Sequence, residues 1–154
     1  MPNATPTADT AVADATVGSE TLVLPRRLAV RLLHAAQCSS DAEICGLVAA
    51  SDGQPDRFLP VPNVAAEPAR EFRMDDAELV AAMQSIREQQ QTLWAVFHSH
   101  PSAPAEPSAR DLSENGYPEA LSLIASLNIK GVLELRAWRM VAGKVVEQGL
   151  SVRD

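Results

Sequence analysis

The chain has 154 residues and a mass of 16.5 kDa, which suits one domain with a tail and not two full domains. Apolar residues make up 46%, enough for a real core. Twenty acidic against 13 basic residues give a net charge of −7, which argues against nonspecific nucleic-acid binding because that needs a basic stripe.

No apolar run approaches the ~18–20 residues that cross a bilayer. The first 20 residues carry no Lys, no Arg and no apolar segment, so they do not read as a signal peptide. Residues 1–20 are rich in Thr, Ala and Asp and cannot offset their ordering entropy; a disordered tail is expected there, with one domain over 21–154. Cys38 and Cys45 are the only cysteines, with no CxxC and no disulfide framework, which points to a cytoplasmic protein with reduced thiols.

The domain opens with a short strand over Thr21 to Leu24. Pro25 then suits a first helical turn, and Leu28, Leu32, Leu33 and Ala36 form a helical stripe to about Gln37. Glu43 to Ala50 is a mostly apolar run and reads as a buried strand, followed by a turn at Ser51 to Gln54. Phe58 to Val61 reads as a strand shortened by Pro60 and Pro62, and Glu71 to Met74 as another. Asp75 with Glu78 forms a capping box ahead of a helix whose buried face is Leu79, Val80, Met83 and Ile86. Leu93 to His100 is a strand running into the loop PSAPAEP. Ser108 caps a short helix, Leu121 to Leu127 is a strand, and Val132 to Met140 with Lys144 to Leu150 form a hairpin about Ala142-Gly143. The pattern predicts an α/β domain: a mixed central sheet with two principal helices.

The chemistry concentrates in His98-Ser99-His100-Pro101 and Ser108-Ala109-Arg110-Asp111, which hold two of the three histidines. On a strand, positions i and i+2 face the same way, about 6.5–7 Å apart, so two imidazoles can converge on one metal. Asp111 sits on the next helix and can complete a set of three ligands. Zinc with three protein ligands and a water in the fourth position is the catalytic pattern. Glu43, an acid in an apolar run, is the candidate base for that water.

Each feature also has a simpler reading. Ser108 to Asp111 is a capping box that needs no metal. Two histidines on a strand can be surface residues, and Glu43 can be a strand-edge acid. Cys45 shares a face with Glu43 and can be a buried packing residue, a fourth zinc ligand or the nucleophile of a cysteine hydrolase. Cys38 and His34 read as packing or surface residues, Trp94 and Trp138 as core, and Arg110 as solvent-facing. HExxH, GxSxG, a P-loop, GxGxxG and the zinc-deaminase pattern HxE…PCxxC are absent.

Glu43 followed by His98-x-His100, seven residues, Ser108, two residues and Asp111 resembles the E…HxHx7Sx2D signature of the JAMM/MPN+ zinc metallopeptidases, compact bacterial type. Glu43-Ile44-Cys45-Gly46-Leu47, Asn63, Pro68, Phe72, Asp75 and Tyr117-Pro118 resemble the family's flanking segments. The resemblance covers about residues 21–150 and implies the JAMM/MPN fold, similar to the cytidine-deaminase fold. It implies His98, His100 and Asp111 as ligands of one Zn2+ per chain. Glu43 is then the general base and Ser108 the donor to the oxyanion. It further implies hydrolysis of an amide or isopeptide bond at the Gly-Gly C-terminus of a ubiquitin-like or sulfur-carrier protein, with a narrow groove beside the sheet for the tail. Members that have lost the catalytic residues serve as binding or scaffold modules, which is the competing expectation. Neither a nucleic acid nor a membrane is expected as a partner.

Overall fold

The computed structural model describes residues 20–154, so the expected tail falls, apart from Glu20, outside the described residues. The elements run β1 (Thr21–Pro25), α1 (Arg26–Gln37), β2 (Cys45–Ser51), β3 (Gln54–Val61), α2 (Asp76–Glu88), β4 (Thr92–His100), α3 (Ala109–Ser113), β5 (Leu121–Ser126), β6 (Glu134–Val141) and β7 (Lys144–Arg153). The seven strands form one mixed sheet in the order β1-β7-β6-β5-β4-β2-β3. The β1/β7 and β4/β5 pairs are parallel, and the other four are antiparallel. Among the described residues no helix is long and apolar enough to cross a membrane.

Strand alternation sorts the core into two clusters. On one face Val48, Phe97, Leu123 and Ala137 pack against Leu28, Leu32 and Ala36 of α1. On the other, Cys45, Leu47 and Ala49 pack against Ala82 and Ile86 of α2. Fully burying one such Leu or Phe stabilises by about 1.5–3 kcal/mol relative to exposure.

Several expectations need correction. Pro25 is the N-cap of α1 and closes β1 instead of entering the helix. Val80 is 66% exposed, and Ala82 takes its place on the buried face of α2. β3 extends from Gln54 to Val61 despite Pro55 and Pro60, because among the described residues it is the outer strand at its end of the sheet and pairs on one side only. Glu71 to Met74 contributes only an isolated bridge, Asn63 to Met74. Glu43 and Ile44 precede β2, so the candidate base stands just outside the strand instead of within it.

Candidate metal centre

His98 and His100 end the central strand β4 and are both buried, at 3% and 2% exposure. Their Nε2 atoms stand 3.1 Å apart. Asp111 Oδ2 lies 3.0 Å from His98 Nε2 and 3.2 Å from His100 Nε2. A tetrahedral ion with bonds of about 2.0–2.1 Å has ligand–ligand edges of about 3.3–3.4 Å. The observed triangle is within a few tenths of an ångström of that. Two imidazoles and a carboxylate are also a donor set that suits zinc.

Tautomer and ring orientation are set by neighbours. The His100 Nδ1–H donates to the Pro104 carbonyl at 2.7 Å, which leaves Nε2 its lone pair. The His98 ring stacks on Phe72, with centroids 4.4 Å apart. Burial holds His98 below the ordinary imidazole value. Burial also pulls His100 down, but hydrogen bonds to Asp111 and Pro104 and the nearby carboxylates outweigh it, so its net shift is upward. Burial pushes Asp111 up, yet its contacts with His100 and His98 hold it well below the usual carboxylate range.

Asp111 reaches the histidines because Ser108 starts α3 with a capping box. The Ser108 Oγ accepts from the Asp111 N–H at 3.0 Å, and Asp111 Oδ2 accepts from the Ser108 N–H at 2.8 Å. The cap and the histidine contacts use the same carboxylate oxygen, Oδ2, rather than one oxygen each. The Ser108 hydroxyl proton has no acceptor among the described residues.

The loop ahead of α3 is fastened at three successive carbonyls. Ser126 Oγ donates to Ala103, His100 Nδ1 to Pro104 and Trp138 Nε1 to Ala105. Trp138 is therefore half-buried with its indole N–H in use, not a plain core residue. Nothing in the local sequence marks Ser126 or Trp138 for this, because each reaches the loop from another strand.

Glu43 is the fourth acidic or imidazole group here. One carboxylate oxygen of Glu43 and a ring nitrogen from each of His98 and His100 all lie within 4.8 Å of one another, so this group too could hold a metal ion. Glu43 is 4% exposed, and its Oε1 has no hydrogen-bond partner among the described residues. Burial pushes its carboxyl up to about 7; His100 opposes the shift, while Asp111 and Glu71 add to it. A carboxyl poised there can take up and give back a proton near neutral pH.

Cys45, two residues after Glu43, is buried as well, and its Sγ–H donates to the Val61 carbonyl at 3.3 Å. Burial, with the Glu43 charge, pushes its thiol up to about 12. It is neither an activated nucleophile nor one of the clustered ligands. Among the described residues both cysteines are free thiols. A groove of about 270 Å³ opens at the centre, with His98 and Asp111 at one side and Phe72, Leu79 and Tyr117 among its walls. Arg110 also lines it and is exposed, as expected, with its NH1 2.8 Å from Glu71 Oε1.

Similar proteins carry names that bear on this geometry. The chain is 29% identical over 112 residues to the CysO-cysteine peptidase of Mycobacterium tuberculosis (strain ATCC 25618 / H37Rv), covering 71% of this chain and 76% of that protein. It is 29% identical over 118 residues to the desampylase of Pyrococcus furiosus, covering 77% of this chain and 80% of the other. The solved structure of protein DSY2949 from Desulfitobacterium hafniense matches with a TM-score of 0.76 at 27% identity, covering 88% of this chain and 94% of that one. Residues 25–141 match the family described as prokaryotic homologs of the JAB domain, and the chain belongs to that family.

Proposed function

We propose that this protein is a zinc-dependent metallopeptidase. It hydrolyses an amide or isopeptide bond at the Gly-Gly C-terminus of a ubiquitin-like or sulfur-carrier protein. The observation that carries the reading is the tight His98–His100–Asp111 triangle with the unpartnered Glu43 carboxylate beside it. Relatives named CysO-cysteine peptidase and desampylase support the substrate class.

His98, His100 and Asp111 would hold the ion. When bound, zinc supplies a Lewis acid that polarises the scissile carbonyl and makes water acidic enough to lose a proton near pH 7. Glu43 takes that proton and returns it to the leaving amine. The Ser108 hydroxyl, its oxygen fixed by the Asp111 N–H, donates to the oxyanion. The groove walls hold the extended tail, and glycine lets the backbone come close. The reading places the catalytic domain at residues 21–154. It also places the protein in the cytoplasm, where Cys38 and Cys45 persist as thiols.

The test is cleavage of a ubiquitin-like carrier extended beyond its Gly-Gly end by a short peptide. Glu43→Gln should keep about one zinc per chain and lose at least ~10³-fold in kcat, since it removes the proton carrier. Undiminished turnover by that variant would falsify the mechanism.

A further inference from the structure

The Glu43 side chain lacks a partner at Oε1, but the backbone that carries it is gripped on every side. The Glu43 N–H donates to the Pro68 carbonyl at 2.7 Å. The Ile44 N–H donates to Ser99 Oγ at 2.9 Å, and the Ser99 N–H donates back to the Ile44 carbonyl at 3.0 Å, just before the paired part of β2 and β4. The Glu43 carbonyl accepts from Asn63 Nδ2 at 2.9 Å. These contacts hold in place a segment that lies outside the strand ladder.

Asn63 does more than hold one carbonyl. The same Nδ2 also donates to the Glu71 carbonyl at 3.0 Å. Its Oδ1 accepts from the Ala65 N–H at 3.0 Å and the Arg73 N–H at 2.9 Å. Both donors and both acceptor positions of the amide are used, which only Asn can do at this reach: Asp has no N–H, and Gln is one methylene longer. Between the two tethered residues lies Phe72, which stacks on His98 and lines the groove. One side chain therefore ties the peptide that bears Glu43 to the wall segment that touches a histidine of the triangle.

We propose that Asn63 is a positioning residue that sets the Glu43 carboxylate beside His98 and His100. The proposal rests on the peptidase reading for its kinetic consequence and on the hydrogen bonds alone for its structural one. A misplacement of about 1 Å at a reacting group can cost 10²-fold in rate, so the tie has kinetic leverage.

The informative variant is Asn63→Asp. It keeps the oxygen that the Ala65 and Arg73 N–H groups need and removes both donors. In the carrier-fusion assay its kcat should fall about 10–100-fold, with KM and zinc content within about twofold of wild type. In a Glu43→Gln background, assayed at high enzyme concentration, the same substitution should add less than about threefold, because the group it positions is gone. A purely structural role predicts the same loss in both backgrounds, and that result overturns the proposal, as does wild-type kcat for Asn63→Asp. Hydrogen exchange on the metal-free chain reads the tie without any turnover. Asn63→Asp should speed exchange at the Ile44 amide, which shares a peptide unit with the carbonyl that Asn63 holds, and spare the Arg73 amide. Unchanged exchange at Ile44 overturns the proposal even if the wild-type protein cleaves no fusion, an outcome that would by itself remove only the peptidase reading.

Discussion

Ser108 and Asp111 bond each other's backbone N–H groups through their side chains, and the Asp111 oxygen used for this is the one that faces both histidines. The start of a five-residue helix and the candidate metal centre are therefore one construction. Ser108→Ala should act at two levels. Loss of the N-cap should cost about 1 kcal/mol, read from the urea midpoint of the metal-free protein. Loss of the hydroxyl donor should lower kcat by about 10²–10³-fold with little change in KM. A variant with the stability loss and full turnover would remove Ser108 from the chemistry and leave it as a cap.

The Glu43 carboxyl gives the metal-free protein a defined pH dependence. Its folded value is raised from 4.5 to about 7, mainly by burial. Between those values the folded state binds more protons than the unfolded state, so stability from this group is full below about pH 4.5 and is lost as pH rises through about 7. Glu43→Gln should match wild type near pH 4 and exceed it near pH 8, by about 3 kcal/mol at most. Urea unfolding with a chelator present at the two pH values measures this. A constant difference across the range would contradict the burial argument. Added zinc should shrink the gap at pH 8, because a nearby cation favours the charged carboxylate.

The parts of the site that are local in sequence are the parts legible from it. His98 and His100 share a strand face two positions apart, and Ser108 and Asp111 share one helical turn, so spacing alone brings each pair together. The supporting contacts depend on tertiary register instead. Ser99 meets Ile44 because Cys45 pairs with His98, and Trp138 meets Ala105 because β6 lies beside β5. No residue-by-residue pattern encodes those neighbours. Val80 is exposed for a related reason: the apolar period is compatible with more than one rotation of α2 against the sheet, and packing selects the one that buries Ala82.

The two cysteines should separate cleanly by reactivity. Cys38 is exposed, with its Sγ 3.5 Å from His34 Nε2, whereas Cys45 is buried with its thiol pushed up to about 12. A thiol alkylator applied to the native protein at pH 8 should modify Cys38 and leave Cys45 untouched, as read by mass spectrometry of peptides. Turnover should be unaffected, while a chelator should abolish it. Rapid labelling of Cys45 with loss of activity would restore the cysteine-hydrolase reading.

Gly46 carries the sharpest steric prediction. It lies on β2, between β3 and β4, one residue past Cys45 and three past Glu43. A Cβ there would stand 2.5 Å from the Leu59 carbonyl oxygen, 2.7 Å from Phe58 Cε1 and 2.9 Å from Pro60 Cα. Two of those atoms are backbone of the paired strand and cannot swing aside as a side-chain tip would. Gly46→Ala must therefore push β3 away from β2 or tilt β2. Overpacking of this kind costs about 1–3 kcal/mol or more. Gly116, with nothing within 4 Å of its own added Cβ, is the control. Gly116→Ala should change stability by less than about 0.5 kcal/mol. A tilt of β2 would also move the Glu43–Ile44 peptide, so Gly46→Ala should lose turnover beyond its loss of folded protein. Equal urea midpoints for the two glycine variants would show that the strands part more easily than their packing implies.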